Sequence, residues 1–425
     1  MGLYALWKAH RTPLPFWRVP ILYAGVTIVL GFTFPHLEYR YLADYNPGVP
    51  VAIATAFFAS IASGMLALTA IVFSLAFVMV QFSSTAYSPR LVVWLSRDPI
   101  LWHALGLFTA TFLYALVALL WVDRGGAGHV PFFSGWCVMV LLIASILVLG
   151  YLVQCLALLQ VAGVIRFIGQ HGRQVIHELY PPLTRAEAAQ TALEELPQPV
   201  TQTVVYTGEP LVIAAYNVPA LVRLAQQADG VIVLPFAVGD VLLDGDAFLT
   251  VRGGRRTLPP AALRSPVRLE QERTFAQDPK YALRLLVDIA IKALSPAIND
   301  PTTAVQTLDQ IEDLVRRLGA RRLEVGQVPD ETGAVRVRFP TPTWEDFVSL
   351  AFDEIRFYGA TSLQVMRRLR TALYDLVNVV GPERQQAIRH YIEHLDSTVK
   401  DAVHDSQDQQ TALQQDRQGL GLSRR

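Results

Sequence analysis

Charge and hydrophobicity divide this chain into two unlike halves. Four long stretches, residues 19–37, 51–82, 99–122 and 130–165, contain no Asp, Glu, Lys or Arg. Each exceeds the ~18 residues that a spanning helix needs. After residue 165 the pattern changes to short alternating runs and then to amphipathic periodicity. The expected fold is an α-helical membrane domain of four transmembrane helices, followed by an α+β cytoplasmic domain with a small β module and a helical C-terminal part.

The second stretch carries the most informative pattern. From Tyr45 to Pro89 no residue is charged. Residues 51–82 alone would make ~48 Å of helix against a hydrocarbon core of ~30 Å. Along one side Ser60, Ala67, Ser74, Gln81 and Ser88 recur every seventh residue, flanked by Ser63, Ala70 and Ser84. Lipid does not select such a seam. A neighbouring helix does, through close approach and hydroxyl bonds, and so does a column of water. Both readings stand. In the second, Ser60, Ser63, Ser74, Gln81 and Ser84 line a pore, and one such helix per chain then demands a homo-oligomer. No fixed charge marks a proton or coupling-ion relay, so a passive pathway fits better than a pump.

Basic residues set an expected orientation. Lys8, Arg11, Arg18, Arg90, Arg97, Arg166 and Arg173 flank one side of the four stretches. Arg40 and Arg124 flank the other, with Glu38, Asp44 and Asp123. The positive-inside rule then puts both termini in the cytoplasm. Trp102 and Trp121 lie about one membrane thickness apart, as in an aromatic belt. The first stretch is followed by no small-x-small cleavage site and reads as a retained anchor. The fourth is longer than a bilayer requires and is expected to continue past the lipid into basic, amphipathic sequence.

The expected organisation is an N-terminus (1–18), the membrane domain (19–168), a connector (169–200), the β module (201–272), a helical domain (273–404) and a disordered tail (405–425). Strands are expected at 203–206, 211–216, 231–237 and 247–251, with Asn217 capping a short helix over 219–228. The turn Gly239-Asp-Val-Leu-Leu-Asp-Gly245 resembles that of a barrel-sandwich module of the biotinyl/lipoyl type, but it has no lysine to carry such a group. Helices are expected from Pro279, from Pro301 to Leu318, over 344–379 and over 382–403, with a hairpin at 334–339.

Candidate chemistry is sparse. The chain has 36 basic and 36 acidic residues, which removes the positive excess that general nucleic-acid affinity needs. Its two cysteines, Cys137 and Cys155, lie in an apolar run and suggest neither a disulfide nor a zinc site. Arg255 and Arg256 belong to an arginine cluster around Gly253–Gly254, a solvated face or a collar for anions. At the corner before Pro301, Asp300 reads as an N-cap, while Asn299, Thr302 and Thr303 are candidates to present donors to a small ion or anionic ligand. His390-Tyr-Ile-Glu-His394 matches the H-x-x-E-H pattern, yet no glutamate follows Glu393 to complete a zinc site, so His390 and His394 are weak metal candidates. There is no Walker loop and no nucleophile elbow, and no cofactor or catalytic residue is assigned.

Several segments together resemble a bacterial family of membrane proteins catalogued as a domain of unknown function. They are Ser63-Gly-Met-Leu-Ala-Leu68 through Gln81-Phe-Ser-Ser-Thr-Ala-Tyr-Ser-Pro-Arg-Leu91, Arg273-Thr-Phe-Ala-Gln-Asp278, Leu286-Val-Asp-Ile-Ala290, Ala293-Leu-Ser-Pro-Ala-Ile-Asn-Asp-Pro-Thr-Thr-Ala304 and Ala351-Phe-Asp-Glu-Ile-Arg356. The resemblance implies several spans followed by a cytosolic domain and supplies no catalytic residues. Two functions follow. One is a homo-oligomeric pore with a cytosolic vestibule or gate. The other is a membrane-anchored binding or signalling protein whose helices only tether and oligomerise that domain.

Overall fold

A computed structural model describes residues 18–41, 48–86, 99–124, 126, 128–157, 161–183 and 198–421, without the side chains of 75, 76, 78–86, 99 and 155–157. Lys8, Arg11, Ser88, Arg90 and Arg97, and the side chains of Gln81, Ser84 and Cys155, therefore lie outside the described residues. The chain forms two compact units, one within Thr12–Gln160 and one from Val161 onward.

The first unit contains α1 (Arg18–Tyr41), α2 (Val51–Ala86), α3 (Pro99–Leu119) and α4 (Phe132–Ala157). All four are long and apolar enough to cross a membrane. The centre is α3, which packs against each of the other three. Its Ala104, Phe108, Ala115 and Ala118 are fully buried. Glycines allow α1 to lie close: a Cβ on Gly106 would sit 2.9 Å from the Tyr23 ring, and one on Gly31 would sit 3.1 Å from Val117. Trp121 does not face outward as a belt residue. Its indole is buried beside His36, with the Arg124 guanidinium 4.2 Å from the ring.

The second unit runs α5 (Val161–Leu179), β1 (Val200–Val205), β2 (Leu211–Tyr216), α6 (Val218–Ala228), β3 (Val231–Val233), β4 (Val241–Leu242), β5 (Ala247–Arg252), α7 (Pro260–Arg264), β6 (Val267–Glu270), α8 (Pro279–Ala293), α9 (Pro301–Leu318), β7 (Gln327–Pro329), β8 (Val335–Arg338), α10 (Trp344–Tyr358), α11 (Leu363–Val377), α12 (Pro382–Ala402) and α13 (Ser406–Ala412). The strands form a five-stranded sheet, β1-β5-β3-β8-β7, and a three-stranded one, β4-β2-β6. One core joins them, built on Tyr216, Leu221, Ile232, Phe248 and Val337. Helices α8 to α12 pack on one another, with α5 lying against α8 and α9. A Cβ on Gly172 of α5 would come within 2.8 Å of Leu314, so only glycine allows that approach.

Several expectations need correction. Sequence carries the membrane domain to residue 168, but α5 packs with the second unit from Val161 because its apolar face belongs to α8 and α9. The β module is not a self-contained barrel-sandwich over 201–272. It encloses α6 and takes β7 and β8 from beyond α9, with β8 parallel to β3. The single helix expected over 344–379 is two helices. The Gly359 N–H ends the first on Ile355, and the Ser362 side chain caps the second. The polar segment after Asp405 is not an unpacked tail. It forms α13, and the buried Arg367 holds the Thr411 carbonyl at 2.7 Å.

Candidate functional site

The seam on α2 faces away from the helix's own neighbours. Ala54, Phe58, Ala62, Met65 and Val72 form the buried edge, packed with residues of α3 and α4. Ser60, Ser63, Ala67, Ala70 and Ser74 are exposed, and a Cβ on Gly64 would meet nothing within 4 Å. Packing among the described residues therefore does not account for the seam. The Ser63 hydroxyl donates to the Ser60 carbonyl at 3.1 Å, and Thr69 donates to Met65 at 2.7 Å. Such bonds lower the cost of a hydroxyl in lipid and leave its oxygen free to accept.

Two polar contacts of the first unit, one buried and one partly exposed, escape sequence reasoning. Thr111 and Ser145 pair at 3.0 Å between α3 and α4. Glu38 crosses from α1 to the start of α4, where one oxygen accepts from Phe133 N at 2.7 Å and the other from Ser134 N and Oγ at 3.1 and 2.9 Å. The only signal in the sequence was a single carboxylate at the edge of a span and a helix preceded by Pro131, which offers no capping side chain.

At the corner between α8 and α9 the chain turns through Asn299, whose φ of 48° is left-handed, a conformation asparagine tolerates well. Asp300 caps α9, accepting from Thr303 N at 3.1 Å and from its hydroxyl at 2.6 Å. The Thr303 hydroxyl is thus committed to the cap, while Asn299 and Thr302 stay exposed. Arg255 and Arg256 lie elsewhere in the unit, their backbone N–H groups bonded to the Ala228 carbonyl, with Arg255 3.4 Å from Asp229. Among the described residues no hydrogen bond or ion pair joins these arginines to Asn299 or Thr302. His390 and His394 are exposed on α12 with ring centroids 6.4 Å apart, and no group of three His, Cys, Asp or Glu suited to a metal occurs among the described residues.

Ion pairs run through the second unit, from the largely buried Arg368–Glu312 to the half-exposed Arg284–Glu354. Asp278 caps α8 and is held by Arg273 at 2.6 Å; burial pushes its carboxyl up, and Arg273 opposes that shift. Arg284 reaches both Asp288 and Glu354, and its hydrogen bond holds the Glu354 carboxyl below the usual range. Arg368 joins Asp309 at 2.8 Å to Glu312 at 2.7 Å. These groups tie helices together and assemble no catalytic constellation.

A family model described as "Predicted membrane protein (DUF2254)" matches residues 14–375. Uncharacterized proteins of Mycobacterium tuberculosis and Mycobacterium bovis are each 27 % identical over 343 residues, covering 78 % of this chain. The chain spans 65 % of the length of these curated relatives. No solved structure matches.

Proposed function

The chain belongs to the DUF2254 family of predicted membrane proteins, and within that frame we propose that it is a homo-oligomeric pore for ions or small solutes. In this reading α2 of each copy lines the pathway, and the second unit serves as a vestibule or gate. Both termini lie in the cytoplasm of a bacterial inner membrane.

What supports the reading is the outward turn of the hydroxyl-bearing edge of α2 while its opposite edge is packed. Serines at that spacing offer water a column of acceptors once several copies surround an axis. The seam is uncharged, which suits a passive route. Arg255, Arg256, Asn299 and Thr302 are the candidates for anion contact in the second unit.

The test is flux through liposomes containing the full chain, with Ser74→Leu and Gln81→Leu as variants. Altered conductance at unchanged thermal stability supports the pathway. Parental conductance in both variants reduces the seam to a packing surface. A monomer in native mass spectrometry removes the pore and leaves a tethered binding domain.

A further inference from the structure

The first unit contains a cleft that the pore reading does not use. Helices α2 and α4 both pack on α3, while their backbones scarcely approach each other. Between their first turns the divergence leaves a space of about 250 Å³, lined almost wholly by apolar atoms. Phe57, Phe58 and Gly135 form its inner wall, and Ile53, Trp136 and Met139 lie around it. A side chain at Gly135 would grow into this space, since its Cβ would already touch the rings of Phe57 and Phe58 at 3.9–4.0 Å.

The lining decides the class of guest. Water needs two to four polar partners, and apolar cavities of about 150 Å³ stay dry and accept hydrocarbons. The cleft is also continuous with the lipid-facing surface. Trp136, which lines it, is 60 % exposed on a helix long and apolar enough to cross the bilayer. We propose that the cleft is a binding site for one acyl chain of a bilayer phospholipid, held between α2 and α4. Ile53 lies one heptad before Ser60, on the edge that the pore reading turns to the axis, so the guest enters from the Trp136 side.

The experiment uses the full chain in phosphatidylcholine vesicles doped with a phosphatidylcholine that carries a diazirine on its acyl chain. After photolysis, adducts are mapped by peptide mass spectrometry. Labelling should be severalfold higher on the peptides containing Ile53–Phe58 and Trp136–Met139 than on Ile143–Leu147 of the same helix, whose Ile143, Ile146 and Leu147 are exposed to ordinary lipid. Gly135→Phe should abolish the excess, and Val140→Phe, on the exposed face, should leave it. Should Gly135→Phe not fold, Met139→Trp fills the space from the other side. Even labelling of all exposed segments overturns the site. So does an excess that survives a filled cleft at parental melting temperature, or protection of both peptides by a second copy.

Discussion

Glu38 caps the helix that begins beside Ser134, across 96 residues of sequence, with both carboxylate oxygens engaged. The first turn of a helix leaves N–H groups without intrahelical partners, and a carboxylate there also meets the positive end of the helix dipole. Glu38→Ala should lower stability by about 1–2 kcal/mol, with Glu38→Gln intermediate because one amide oxygen still accepts. Thermal unfolding in detergent reads the difference, and equal melting temperatures for parent and alanine variant would show that the cap carries no weight.

Gly106 and Tyr23 set the spacing of α1 and α3. Gly106→Leu should overpack this contact and cost about 1–3 kcal/mol. Tyr23→Ala in the same chain should recover much of the loss, because the two sites share one volume. Additive losses in the double variant would place the strain elsewhere.

Arg273→Ala should be among the costlier substitutions in the second unit. It strips the partner from Asp278, whose residue is 2 % exposed, and breaking a buried pair from one side costs about 3–5 kcal/mol. Burial already pushes this carboxyl up, and without Arg273 it should rise further. A carboxyl raised in the folded state favours folding while protonated and loses that contribution as pH climbs through the folded value. The variant's deficit should therefore shrink in mild acid. A deficit unchanged between mildly acidic and neutral pH contradicts the assignment.

Glu354 behaves oppositely. Its carboxyl is held low by Arg284, so its contribution is present above the unfolded carboxylate value and is lost as pH falls through the folded one. Glu354→Gln should cost stability at neutral pH, and its difference from the parent should shrink as pH falls through the folded value, which flattens that part of the acid limb of the melting curve. A parental acid limb in the variant would remove Glu354 from the account.

Arg367 latches the C-terminal segment through the carbonyls of Thr411 and Gly419. Arg417 adds a second tie to Asp375 at 2.8 Å. Arg367→Ala should open residues 405–421 to limited proteolysis well before the rest of the unit is cut. Cleavage at the parental rate would mean that α13 is held by its apolar contacts alone.

The sequence made local structure legible where one residue suffices to decide it. Asn217 and Asp300 cap the helices their positions predicted, and Arg284 pairs with Asp288 one turn away. The four spans followed from absence of charge alone. Partners distant in sequence were not legible. Nothing near Val335 indicates that β8 will lie beside β3, nothing at Glu38 names Phe133, and the composition after Asp405 conceals the buried arginine that receives it. The seam was visible as a periodicity, but its direction depended on which edge of α2 the rest of the bundle takes, and that is a tertiary property.

The placement of β8 between β3 and β7 has a practical consequence for anyone cutting this chain. A fragment that stops at residue 272 would lose two of five strands and leave the β3 backbone as a bare edge beside exposed valine and isoleucine. Such an edge templates aggregation. The smallest piece to express apart from the spans therefore begins at Val161 and includes the hairpin, α10 to α12 and the latched segment through Gly421.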